Sequence, residues 1–190
     1  CYRKTVDLGG GMSAQLLPAG HLLGAAMVSL QGPTGSILFS GDIGRPHDVL
    51  MKAPAPLERH DWLVLESTYG NRIHPADDAE QKLADVVNRT VARGGVVLVP
   101  AFAVGRTQAV LHYLGRLRAR GGIPQVPIYV NSPMATDATR VYLDHPQEHR
   151  LSREECHALS STARFVQSIE ESQSLNTLRE PMVIIAGSGM

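Results

Sequence analysis

The stretch VVLVPAFAVGRTQAVLHYLGRLRARGG, residues 96–122, decides the fold. It opens on a β-branched run, turns at Gly105, and carries helix formers from Gly105 to Arg120 until the glycine pair 121–122 stops them. A strand that feeds a helix ending in glycine is half of a strand–helix–strand crossover, and crossovers set consecutive strands parallel. The same unit recurs on both sides. Downstream, VPIYVNS (126–132) is a strand, Met134 to Leu143 a helix and PMVIIAGSG (181–189) a last strand. Upstream, Ala76 to Arg93 reads as a helix with Ala79, Leu83, Val86, Val87 and Val91 on one stripe. Alternation of this kind predicts an α/β domain whose mainly parallel sheet is covered by helices on both faces.

Further towards the N-terminus the pattern changes. Residues 12–17, 25–31 and 36–40 are short apolar segments separated by turns, and GPTG (32–35) between the last two predicts a hairpin. The Pro-rich stretch KAPAPLERHD (52–61) is a loop leading into WLVLES (62–67), which reads as a buried-type strand. The organisation is two unequal parts, with the boundary near 66–75.

A chain of 190 residues, 43% hydrophobic, with 18 Lys+Arg against 18 Asp+Glu, can bury a full core and has no global charge with which to attract a polyanion. A nucleic-acid partner would have to be held in a local groove. No apolar run approaches the roughly 20 residues that cross a bilayer, and the N-terminus lacks the layout of a secretory signal. The expectation is a cytoplasmic protein with no membrane partner. Cys1 and Cys156 form neither a disulfide framework nor a CxxC zinc pair, so any metal must rest on His and Asp. The chain begins at Cys1 and stops at Met190 just after a strand and a GSG turn, which reads as a piece of a longer protein.

Three polar residues stand at the ends of apolar segments: His21 in PAGHLLGA, Asp42 in LFSGDIGR and Glu66 in WLVLESTYG. Each has an ordinary explanation alone. A loop histidine is commonly a surface residue, an Asp in a Gly-flanked turn commonly bonds nearby backbone, and a Glu ending an apolar strand needs a partner in any case. Together, an imidazole and two carboxylates at the tips of successive strands can meet at one sheet edge and share a metal ion. The small residues around His21 would let backbone approach a ligand closely.

The segments PAGHLLGAAMVSL, ILFSGDIGR, LVLESTYGNRIH, VLVPAFAVGRTQ, IYVNSPMA and VIIAGSGM, in this order, resemble the metallo-β-lactamase superfamily, specifically its β-CASP branch of RNA- and DNA-processing nucleases. The resemblance runs from residue 12 to 190, least distinctively between 145 and 178, and is nearest to bacterial and archaeal proteins similar to the cleavage-and-polyadenylation endonuclease. It implies part of an αββα sandwich over residues 1–68 followed by an inserted β-CASP domain, incomplete at its C-terminal end, over 69–190. It also implies two zinc ions, held by an HxHxDH signature, a later histidine, a bridging aspartate and further histidines. By resemblance His21 is a zinc ligand and Asp42 the bridging, catalytic carboxylate. Glu66 falls on the branch's acidic motif, which in relatives orients an active-site histidine and so serves catalysis. HxHxDH does not occur in the chain, so at most two expected zinc ligands are present and the piece is expected to be inactive alone.

The implied activity of the intact parent is zinc-dependent hydrolysis of single-stranded RNA, or DNA, with a homodimer left open. Gly105 and Arg106 open a helix where free backbone N–H groups and a guanidinium would face phosphate, and Ser188 in the last GSG would donate similarly. Tyr69, Asn71, Arg72 and His74 form a polar loop beside Glu66, and Ser132 lies in the SPMA motif without an assigned role. A small-molecule hydrolase would share His21 and Asp42 but has no use for the inserted domain. A non-catalytic scaffold would be expected to have lost His21, Asp42 and Glu66. A dinucleotide-binding domain would need a GxGxxG after a strand, and there is none.

Overall fold

The computed structural model describes residues 2–73 and 78–187. The chain divides into two compact units, Cys1–Pro75 with Glu148–Arg150, and Ala76–Gln147 with Leu151–Met190.

The first unit is a five-stranded sheet of β1 (Thr5–Gly9), β2 (Met12–Pro18), β3 (Ala26–Gly32), β4 (Gly35–Phe39) and β5 (Trp62–Val64), in that spatial order. Neighbours pair antiparallel up to β4, and β5 joins β4 in parallel. The hairpin expected at GPTG is present, with Gly32 opposite Gly35. Alternation sends Leu17, Met27 and Leu38 to one face, where they pack with Ala19 and Ala55. Burial of each large side chain there contributes about 1.5–3 kcal/mol. The Pro-rich loop supplies the cover: the Ala55 N–H donates to the Pro18 carbonyl, Ser29 Oγ meets His60 Nε2 at 2.7 Å, and the Ser36 N–H donates to Asp61 Oδ2 at 2.7 Å. Residues 148–150 belong to this unit because Arg150 donates its backbone N–H to the Leu50 carbonyl and its Nε–H to the Met51 carbonyl.

The opposite face presents Val6, Ala14, Leu16, Val28, Leu30, Ile37, Phe39, Trp62 and Val64 in register across all five strands. Much of it is open to solvent. WLVLES was expected to be a buried strand, and the structure corrects this. Only Trp62–Val64 pairs, it pairs on one side alone, and Trp62 is 71% exposed. An apolar run reports that a segment can be buried, not that a covering layer lies on both its faces.

The second unit is a parallel sheet in the order β6 (Val96–Pro100), β9 (Met182–Ala186), β7 (Ile128–Asn131), β8 (Arg164–Phe165). Its helices are α1 (Ala79–Ala92), α2 (Arg106–Ala119), α3 (Pro133–Asp144), α4 (Arg153–Ser161) and α5 (Ile169–Leu175). Val97, Val130, Val183 and Ile185 from the strands and Leu111, Leu114, Leu117 and Tyr142 from the helices make up much of the core. Asp78, Ser132, Ser152 and Ser168 cap α1, α3, α4 and α5 by accepting a backbone N–H three residues on. Helical cover is uneven, for Leu98 on β6 remains 70% exposed.

The stripe expected on α1 is also shifted. Ala79 and Val86 are exposed, whereas Glu80, Ala84, Val87 and Thr90 face inward. Glu80 turns in because Arg116 in the last turn of α2 and Arg120 at its C-cap each place a guanidinium nitrogen 3.4 Å from its carboxylate. Strand β1, helices α4 and α5 and the two-residue β8 carry too little periodicity to have been read from sequence.

Candidate metal centre

Strands β2 and β4 both run antiparallel to β3, and β5 runs parallel to β4, so their carboxyl ends reach one edge of the sheet. The loops leaving those three ends carry His21, Asp42 and Glu66.

Two glycines set the separation of the first two loops. Gly44 donates its N–H to the Ala19 carbonyl at 2.8 Å, and a methyl group built on Gly44 would stand 1.8 Å from the Gly20 carbonyl oxygen. Gly20, at φ +69°, has no room on its other side, where an added carbon would meet the Lys52 carbonyl at 2.7 Å. The small residues around His21 were expected to admit a ligand to the backbone. Here they admit the backbone of the Asp42 loop.

With the loops laced in this way, His21 Nε2 lies 3.9 Å from Asp42 Oδ2, and both side chains reach solvent. Two ligands of one tetrahedral zinc, each at about 2.0–2.1 Å from it, stand about 3.4 Å apart. The observed gap lies about half an ångström beyond that, within the reach of a small side-chain rotation, and an imidazole with a carboxylate is a donor set that zinc accepts. The pair fits as part of a metal site. Among the described residues no group of three or more His, Cys, Asp or Glu side chains is gathered at metal-binding distance.

Glu66 lies just past β5 and is partly exposed. Its Oε1 accepts the Ile43 N–H at 3.1 Å and its Oε2 the Thr68 N–H at 3.2 Å. The Ile43 bond above all, then those from Thr68, hold its carboxyl below the usual carboxylate range, and the nearby His21 adds to this. Its backbone N–H donates to Ser40 Oγ, which in turn donates to the Gly41 carbonyl. Ser40 and Gly44 escaped the sequence reading as parts of the site; the glycines flanking Asp42 in S-G-D-I-G were the available signal.

Tyr69 and Asn71 are exposed in a turn after Glu66 in which the Gly70 N–H donates to Ser67 and the Arg72 N–H to Tyr69. Gly105 and Arg106 lie in the second unit, and the expected free N–H groups are not free. Gly105 N–H donates to Gln108 Oε1 at 2.7 Å, Arg106 N–H to Val104 and Thr107 N–H to Phe102. The loop bends back on itself and caps its own helix, which leaves the exposed Arg106 guanidinium as the group able to meet a phosphate. Ser132 is buried and caps α3. Ser188 and His74 lie outside the described residues.

Fold and site thus define a mixed α/β protein with a candidate metal centre at the carboxyl edge of its first sheet. Residues 107–190 match the family model described as the Beta-Casp domain. The chain is 35% identical to Ribonuclease TTHA0252 of Thermus thermophilus, across 95% of this chain and 43% of that protein. It is 38% identical to transcription termination factor FttA of Pyrococcus horikoshii, across 100% of this chain and 31% of that one. Endoribonuclease YSH1 of Eremothecium gossypii is 32% identical, across 100% and 26%. A solved structure of a protein of unknown function from Enterococcus faecalis shares the fold, with a TM-score of 0.51 at 12% identity, over 97% of this chain and 43% of that one. The chain belongs to the β-CASP branch of the metallo-β-lactamase superfamily. It spans less than half the length of these relatives.

Proposed function

We propose that the whole protein carrying this chain is a zinc-dependent ribonuclease that hydrolyses phosphodiester bonds of single-stranded RNA in the cytoplasm. The observation that supports this most is the approach of His21 Nε2 to Asp42 Oδ2 at 3.9 Å, at an edge reached by three strand ends. His21 would bind one zinc through its neutral Nε2, and Asp42 would bridge two through its carboxylate. Bound there, the two ions would supply a nucleophilic water at neutral pH and offset the charge of the phosphodiester under attack. Glu66, ionised and limited to accepting hydrogen bonds, is suited to hold a histidine N–H and fix that ring's tautomer for proton delivery to the leaving oxygen. Arg106 would contact a substrate phosphate through its guanidinium. Tyr69 and Asn71, in the loop after Glu66, would line the approach to the His21–Asp42 edge. Two relatives are named as ribonucleases, and RNA is the substrate class those names support. The 190 residues by themselves would hold two donors of a larger set and would not cleave.

The test is cleavage of a labelled single-stranded RNA by the full-length protein with and without a chelator. Chelator-sensitive cleavage, abolished by Asp42→Ala with the fold intact, is the expected result. Full activity in Asp42→Ala, with contaminating nucleases excluded, would defeat the assignment.

A further inference from the structure

We infer that Glu66 is a positioning residue for Asp42: its carboxylate holds the Ser40–Gly44 turn in the conformation that presents the Asp42 side chain to a metal, in addition to any part it takes in proton delivery. The bond that carries this is Ile43 N–H to Glu66 Oε1 at 3.1 Å, made by the residue next to Asp42.

The turn has few other supports. Ser40 is held at its start by its N–H donating to the Val64 carbonyl, and Gly44 at its end by its N–H donating to the Ala19 carbonyl. Between these, Ser40 Oγ bridges the Gly41 carbonyl and the Glu66 N–H, and Glu66 Oε1 takes the Ile43 N–H. Residue 66 therefore grips the turn twice, through backbone and side chain, on either side of Asp42. Asp42 itself is exposed, with its side chain 75% accessible, so packing does little to fix it. A ligand on a turn without lateral packing takes its orientation from the hydrogen bonds of that turn, and outer partners of this kind typically alter metal affinity by about 10–100-fold when removed. Oε2 is occupied differently, by the Thr68 N–H, so the two oxygens tie the turn on one side to the loop after β5 on the other.

The inference rests on the metal-site reading above, and the experiment separates the two. Zinc affinity of the full-length protein is measured by competition with a chromophoric chelator for wild type, Glu66→Ala and Glu66→Gln, with amide exchange at Ile43 followed in the metal-free proteins. Glutamine keeps an oxygen able to accept the Ile43 N–H while losing the charge. The expected result is zinc binding about 10–100-fold weaker in Glu66→Ala, near wild type in Glu66→Gln, and faster Ile43 exchange in the alanine variant alone. Wild-type zinc affinity in Glu66→Ala, or an equal loss in both variants, would overturn the positioning role. Failure of the wild-type protein to take up zinc would overturn the metal reading beneath it.

Discussion

At Gly44 the approach of the two loops depends on a missing methyl group. An added Cβ would meet the Gly20 carbonyl at 1.8 Å, backbone against backbone, so neither loop can yield by rotating a side chain. Gly44→Ala must push the His21 and Asp42 loops apart. Overpacking of this kind typically costs about 1–3 kcal/mol, and a separation already about half an ångström wide of ideal would grow further. In the full-length protein we expect Gly44→Ala to remain folded with a lowered denaturation midpoint, and to lose together the zinc affinity and RNA cleavage proposed for it. Wild-type cleavage in that variant would show that the spacing of the two loops is not held at this contact. His21, Asp42 and Glu66 stood out in the sequence because each comes at the end of an apolar segment. Gly44 and Ser40 were not singled out, because their contribution is a backbone approach and a bridging hydroxyl, which only the paired loop makes visible.

Among the elements, α2 shows what periodicity conveys and what it leaves out. Its span was readable from the strand before it and the glycine pair after it, yet its polar contacts were not. Gln108 is fully buried and donates to the Ala103 carbonyl and Thr139 Oγ1, joining α2 to α3. His112 is buried against α4, with Nε2 3.9 Å from Glu155 Oε1. Burial lowers the His112 pKa from its ordinary 6.5, Glu155 opposes this, and Arg116 adds to it. The folded chain thus resists a proton that the unfolded chain accepts. The associated stability is present above about pH 6.5 and is lost as pH falls below it, with a slope of at most about 1.4 kcal/mol per pH unit. Denaturant titrations between pH 8 and 5 are expected to show this slope, and His112→Gln to flatten it. An unchanged slope in the variant would show that His112 does not carry it. The α1 stripe was misplaced for a related reason: hydrophobicity cannot foresee a buried Glu80 whose partners, Arg116 and Arg120, lie at the end of another helix.

For the molecule as a whole, the fold class was legible because strand–helix alternation and a run of hairpin segments are local patterns, while the cover on each sheet face is not local. The face of the first sheet carrying Val6, Leu16, Phe39, Trp62 and Val64 is a contiguous apolar surface, and such surfaces associate. The 190-residue chain is expected to bind a hydrophobic dye and to self-associate in light scattering, and Trp62→Glu with Leu16→Glu to suppress both. Dye binding unaffected by those changes would place the sticky surface elsewhere. Whether His21 and Asp42 hold a common metal centre is decided by anomalous diffraction at the zinc edge from crystals of the full-length protein. Zinc is expected within about 2.0–2.2 Å of His21 Nε2 and of an Asp42 carboxylate oxygen. Zinc bound elsewhere, with these two side chains unliganded, would contradict it.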